Sequence, residues 1–330
     1  MRKLYFLLSA ILPVLALIVI VKGAYVRLSD AGLGCPDWPG CYGRLLVPAA
    51  AREIPSDQLS ARPLETGKAW REMIHRYLAS SLGTLILLLA VAAWFVRHER
   101  VMAIPMWLVP LVMFQGLLGM WTVTLLLKPL IVVGHLFGGF TVLSLLWWNF
   151  LDSRAFPRAK NRQGLRRFAG IAIVTLAGQI FLGGWTSANY AALACVDFPQ
   201  CHGQWWPQLD FHNAFILWRG LGINYEFGVL DTPARTAIHV VHRLGAGVTA
   251  VVVLALCAYA RRVSDIHGRR IASCIIAALA LQIMLGITNV LRGLPLPVAV
   301  MHNGTAALLL LSLVTLFRYA SPQIGRGNYT

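Results

Sequence analysis

Glu72-Met73-Ile74-His75-Arg76 returns as His239-Val240-Val241-His242-Arg243, 167 residues further along. The echo continues at the same offset. Gln115-Gly116-Leu117-Leu118-Gly119 is matched by Gln282-Ile283-Met284-Leu285-Gly286, and His135 by His302. Two more markers recur at an offset of 160: Gly23 with Gly183, and the pair Cys35/Cys41 with Cys195/Cys201. The seven-residue difference must lie in the second of two long polar loops. Several kinds of marker in one order argue for a duplicated unit rather than chance. Each half then carries two histidines 60 residues apart.

The ground between the markers is apolar. Of the 330 residues, 58% are hydrophobic and 13% charged, about half the charge of a soluble chain. Eight stretches are each about the ~20 residues that a bilayer core requires: 4–26, 72–96, 102–125, 129–150, 168–188, 236–260, 271–291 and 298–318. The expected fold is an all-α polytopic membrane protein. Its eight transmembrane helices form two tandem four-helix bundles. Four spans per unit is an even number, so both halves share one orientation and the internal repeat is parallel. The expected divisions are 1–150, a basic linker 151–167, and 168–330.

A net charge of +16 suggests nucleic acid at first sight. The charge sits instead in short segments between spans, where lysine and arginine orient membrane proteins; no nucleic-acid partner is expected. Arg97 and Arg100, then Arg154, Arg158, Lys160, Arg162, Arg166 and Arg167, then Arg261, Arg262, Arg269 and Arg270 all fall on one side with both termini. That side is the cytoplasm, and the long loops 27–71 and 189–235 face outward. The first span has no small-residue cleavage signature and reads as uncleaved, and no transit extension precedes it. The expected location is a bacterial inner membrane. Trp70, Trp147, Trp148 and Trp185 lie near span ends, as a lipid-facing aromatic belt would place them.

All four repeated histidines fall near the outer ends of their spans. Ionisable residues in a bilayer are costly and mark function. A lone histidine in a span more often bonds a carbonyl or lines water; four on a matched template point to two sites. Paired histidines at one depth suit axial ligation of haem iron lying between helices. Zinc would require three or four converging ligands, and the second half offers no nearby carboxylate. Arg76 and Arg243 follow the histidines directly and either pair with haem propionates or snorkel to the interface.

The halves differ at Glu72, whose counterpart is His239. Glu72 stands one helical turn from His75. A buried carboxylate beside one site alone suggests chemistry there and electron carriage at the other; the alternative is a hydrated carboxylate at a helix N-terminus. The outer cysteines lie where disulfides persist. Cys35–Cys41 and Cys195–Cys201 bridges within each loop are allowed, as is cross-loop pairing, with either a stapling or a redox role. Cys257 and Cys274 read as small buried hydrophobes.

On these residues the chain resembles the haem A synthase family. The resemblance rests on Gly32-Leu33-Gly34-Cys35-Pro36-Asp37-Trp38-Pro39-Gly40-Cys41, Glu72 to Arg76, Gly134-His135, Ile238 to Arg243, and Met301-His302. It spans the whole chain; the run Leu28-Ser29-Asp30-Ala31-Gly32 departs from the family's pattern. The resemblance implies oxidation of a ring methyl of haem O to a formyl group, through an alcohol, giving haem A for terminal oxidases. It implies water as the oxygen source and electrons leaving the substrate. It implies a haem b cofactor on His242 and His302, beside Arg243, and substrate haem between His75 and His135, beside Arg76. Glu72 matches the family's glutamate at the substrate site, and Cys35/Cys41 a pair found in one subset. The implied partners are haem O, the bilayer, a haem O synthase, an electron acceptor such as a quinone, and further copies of the chain. The competing class is a bis-histidine dihaem electron carrier or haem transporter; a thiol-disulfide enzyme is a more distant one.

Overall fold

The computed structural model describes residues 1–54, 62–96, 103–154, 156–159 and 162–322. Eight long helices carry the fold: α1 Arg2–Leu28, α2 Thr66–Phe95, α3 Ala103–Thr124, α4 Pro129–Ser153, α5 Gln163–Ala188, α6 Thr232–Val263, α7 Ile266–Leu291 and α8 Leu296–Tyr319. All eight are long and apolar enough to cross a membrane, so the chain is a multi-pass membrane protein by length and composition. Large apolar side chains such as Trp107, Met113, Val174 and Val251 point outward. That placement is costly in water and costs nothing against lipid tails.

Hydropathy found every helix but began several too late. α2 starts six residues before the expected 72, and α5 and α7 each start five before the expected 168 and 271. The first turns are polar, uncapped by any side chain at α2 and α5 and capped at α6 and α7. The Asp231 carboxylate accepts from the Ala234 amide at α6, with Pro233 in the first turn, and Asp265 accepts from the His267 and Gly268 amides at α7. Such caps satisfy amide groups that have no partner inside a helix, and an apolar window cannot register them. Among the inner basic residues, Arg97, Arg100 and Lys160 lie outside the described residues.

Packing follows two rings. α1 lies against α2 and α4, and α3 lies against the same two helices. Likewise α5 lies against α6 and α8, and α7 against those two. The rings meet through α1 on α8, α5 on α4, and α4 on α8. At one end of the first ring, beside this seam, the Tyr5 hydroxyl on α1 donates to Asn149 Oδ1 on α4 (3.0 Å), and Asn149 Nδ2 donates to Ser9 Oγ (2.9 Å). Nearby, Trp147 Nε1 donates to Thr315 Oγ1 across α4 and α8 (2.8 Å), and Arg318 Nε donates to the Asp152 carboxylate (2.7 Å). At the other end Arg62 holds Glu226 with two hydrogen bonds (3.0 and 2.7 Å), joining the two long loops.

Two expectations are corrected here. Trp185 is buried, with Nε1 donating to the Ala214 carbonyl (2.8 Å), and Trp147 is bonded to Thr315, so neither belongs to a lipid-facing belt. Indole N–H groups seek partners when buried, and the seam supplies them. Cys257 is buried as expected, but Cys274 faces outward, a position that lipid makes free for a small apolar side chain.

Candidate functional site

The two long loops fold alike because they share Cys-Pro/Val-Asp-aromatic-Pro chemistry. Cys35 is bonded to Cys41, and Cys195 to Cys201; pairing is within each loop. Trp38–Pro39 and Phe198–Pro199 are both cis. The Asp37 carboxylate accepts from the Tyr42 and Gly43 amides (2.7 Å each), and Asp197 accepts from His202 and Gly203 (2.8 Å each). These amides belong to residues with positive φ, a turn that exposes two N–H groups side by side. The Gly203 and then the His202 amide hold the Asp197 carboxyl below its usual range. A carboxylate depressed in the folded state stabilises the turn above the ordinary aspartate range, and that contribution fades as pH falls through the depressed value.

Each loop is seated on a helix by an arginine. Arg76 donates to the carbonyls of Asp37 (2.9 Å), Pro39 (3.2 Å) and Gly40. Arg243 donates to Gln200 (2.9 Å), Cys195 (3.3 Å) and Asp197 (2.8 Å). A guanidinium suits this work because its donors spread in a fixed fork. Neither of the two roles weighed for these arginines includes this one. Each gives donors to loop carbonyls, which a linear reading could not foresee; Arg76 also pairs with Glu72, and Arg243 Nε has no hydrogen-bond partner.

Glu72 and His239 occupy matched positions under the loops. The Cys35 amide donates to Glu72 Oε2 (2.9 Å), and the Cys195 amide points to His239 Nδ1 (3.3 Å). Glu72 is only 4% exposed and pairs with Arg76 at 2.5 Å. It sits in the second turn of α2, so the hydrated N-terminal carboxylate is excluded. Buried charge is tolerated when it is both paired and hydrogen-bonded, and Glu72 is both. In the second half, a neutral ring receives the same amide.

His75 is the tenth residue of α2 and His242 the eleventh of α6; His135 and His302 are each the seventh of α4 and α8. α2 and α4 stand opposite one another in their ring, so His75 and His135 face across its middle. Their ring centroids are 6.5 Å apart with planes at 86°. A glycine of a neighbouring helix abuts each ring. A Cβ at Gly23 would lie 2.9 Å from His75 Cε1, at Gly119 3.2 Å from His135, at Gly183 3.2 Å from His242 and at Gly286 3.1 Å from His302. At each of the four rings a glycine leaves room that a side chain would fill. Sequence had marked all four only as markers of the repeat.

Glutamines contact three of the histidines, two at a ring nitrogen and one at the backbone carbonyl. Gln115 Nε2 donates to the His135 carbonyl (2.5 Å), Gln282 Nε2 lies 3.2 Å from His302 Nε2, and Gln179 Nε2 lies 3.1 Å from His242 Nδ1. Gln115 and Gln282 were visible as markers. Gln179 was missed, because its counterpart is Val19 and no repeat signal flags it.

Burial leaves Nδ1 of His75, His135 and His302 without a hydrogen-bond partner, and buried polar atoms rarely stay unmatched. Among the described residues no cluster of three metal-binding side chains exists, so a closed zinc site is not formed. Nitrogen–metal bonds of about 2.0–2.1 Å put two facing imidazole nitrogens about 4 Å apart. Centroids 6.5 Å apart accommodate that span. Two histidines facing across the ring interior, each with an unpartnered Nδ1, fit a haem iron, which takes axial histidine readily.

The seam adds one more close approach. A Cβ at Gly184 would lie 2.9 Å from Leu136 Cδ2 and 3.4 Å from Val133 Cγ2, so α5 touches α4 at the residue beside His135, while neighbouring Gly183 touches His242.

A family model described as cytochrome oxidase assembly protein matches residues 6–314. The chain belongs to the COX15-CtaA family. This COX15-CtaA chain is 47% identical to the heme A synthase of Shewanella oneidensis over 311 residues, covering 92% of each. It is 28% identical to the heme A synthase of Halalkalibacterium halodurans over 90% of each chain. It is also 28% identical to that of Rhizorhabdus wittichii, over 92% of this chain and 90% of the relative. The COX15-CtaA match runs through all eight helices, so both histidine pairs fall inside it.

Proposed function

We propose that the chain is a haem A synthase, oxidising a ring methyl of haem O to a formyl group through an alcohol. The observation that carries the reading is the Glu72/His239 exchange within two otherwise matched sites. A transporter or electron carrier built on two histidine pairs has no use for a buried carboxylate at one of them. The 47% identical relative named for heme A synthesis points the same way.

On this reading residues 1–150 hold the substrate haem between His75 and His135, residues 168–330 hold haem b on His242 and His302, and 151–167 link them. The eight helices form two tandem four-helix bundles in a parallel repeat. Both termini are cytoplasmic in a bacterial inner membrane, with the long loops outside. Arg76 and Arg243 keep the loops lowered over the sites. The first oxidation takes two electrons and one proton from the methyl carbon, and water adds there with loss of a second proton to give the alcohol; the second takes two more electrons, one proton from that carbon and one from its hydroxyl, to give the formyl group. Glu72, shielded by the first loop, steadies positive charge at that carbon and receives a proton. A fixed charge in a dry site does this without reorganisation. Haem b, when bound, supplies a redox centre for the departing electrons, which pass to an acceptor such as a quinone. The substrate is delivered by a haem O synthase, and copies of the chain associate.

The test is to express the chain with a haem O producer, extract the haems and weigh them. Haem A, heavier than haem O by one oxygen and lighter by two hydrogens, is the expected product. Haem O recovered unchanged from a haem-loaded protein would overturn the synthase reading in favour of an electron carrier.

The glycines give a second check on site assignment. Gly183→Val places a branched side chain against His242, where even a Cβ comes to 3.2 Å of the ring. Overpacking of this kind costs ~1–3 kcal/mol, here concentrated on one ligand. The expected result is purified protein depleted of haem b by absorbance, with Gly23→Val leaving haem b in place.

A further inference from the structure

One further cluster sets the two halves apart. Lys22 Nζ lies 4.7 Å from the centroid of the Tyr25 ring, and the Arg71 guanidinium lies 5.7 Å from the same ring. Among the described residues, no carboxylate lies within ion-pairing distance of either cation. At the repeat offsets, the second half has Leu182 for Lys22, Trp185 for Tyr25 and Ile238 for Arg71. Trp185 and Ile238 are buried. Neither of these two cations has a cationic counterpart at the repeat offset in the second half.

Their position is tied to that site. Gly23, next to Lys22, abuts the His75 ring, and Arg71 precedes Glu72 and His75 on α2. Lys22 and Tyr25 also line an open groove of about 560 Å³ along α1, bounded by Leu17, Ile18 and Val21 and, from α8, by Val300. The groove is apolar along its length and cationic at one end. It matches an amphiphile with a flat apolar body and carboxylates on one edge. Aromatic contact is a weak substitute for a counter-ion, so an incoming carboxylate gains more here than at a solvated surface.

We infer that Lys22 and Arg71, steadied by Tyr25, bind the two propionate carboxylates of the haem held at His75 and His135, with the groove along α1 as its passage from the bilayer. The inference rests on the proposed haem site in the first half. It assigns carboxylate recognition to residues the second half lacks, and it gives the substrate site a charge selectivity that the cofactor site does not share.

The test uses full-length protein purified with its second-half haem. Iron protoporphyrin IX and its dimethyl ester are titrated in, and first-half binding is taken as the absorbance change lost in His135→Ala. Wild type is expected to bind the diacid at least about tenfold more tightly than the diester, ~1.4 kcal/mol. The Lys22→Gln/Arg71→Gln double variant is expected to bring that ratio near one with diester affinity unchanged. Charge-conserving Lys22→Arg and Arg71→Lys are expected to keep the preference, which guards against a double variant that folds poorly. A wild type without preference, or a double variant that retains it, overturns the inference; cations serving lipid headgroups would give the first of these. No His135-dependent binding of either probe overturns the haem site itself, and the inference falls with it.

Discussion

Glu72→Gln is expected to give a protein that folds, fills with haem and makes at most about a hundredth of the wild-type haem A, the lower end of the ~10²–10⁴ that a positioned acid–base group supplies. Glutamine keeps the length of the side chain and an oxygen to accept from the Cys35 amide. Arg76 loses its ionic partner but retains three loop carbonyls, so the first loop stays seated. What disappears is the negative charge and the capacity to take a proton. Haems extracted from the variant and separated by mass give the product ratio, and absorbance per chain gives the loading. Full haem A output from the variant would remove Glu72 from the chemistry, and a collapse of loading would make it structural.

The second large effect separates the halves. His302→Ala is expected to strip haem b from the purified protein, whereas His135→Ala leaves haem b bound and abolishes conversion of haem O. Changing a residue that merely orients a metal ligand costs ~10–100-fold in affinity, so loss of a ligand itself exceeds that. Gly286, which abuts His302, cannot substitute as a donor, and no third metal-binding side chain stands by among the described residues. The measurement is haem per chain by pyridine extraction for all four histidine variants. Equal loss in all four would erase the division into substrate and cofactor sites.

Much of this was legible in the sequence. The eight helices follow from hydropathy because lipid imposes one long apolar run per span. The four histidines and the Glu72/His239 exchange follow from the repeat because a duplicated chain carries its own alignment. What stayed hidden depends on approach in three dimensions. Arg76 and Arg243 bind backbone carbonyls, which have no sequence identity to betray them. The glycines at the four rings were seen, but a missing side chain does not say what it makes room for. Trp185 read as a belt residue because proximity to a span end cannot distinguish lipid from the Ala214 carbonyl.

Gly184 carries a consequence for how such a chain can change. After a duplication, one copy is ordinarily at liberty to drift while the other keeps the old task. Here the two halves of the proposed repeat share a wall. Gly183 backs onto His242 and Gly184 presses on Leu136, the neighbour of His135, so on the proposed assignment a heavier residue at 184 disturbs both sites at once. A lesion there would mimic two separate lesions in a genetic screen, and compensation would have to arise in both halves together.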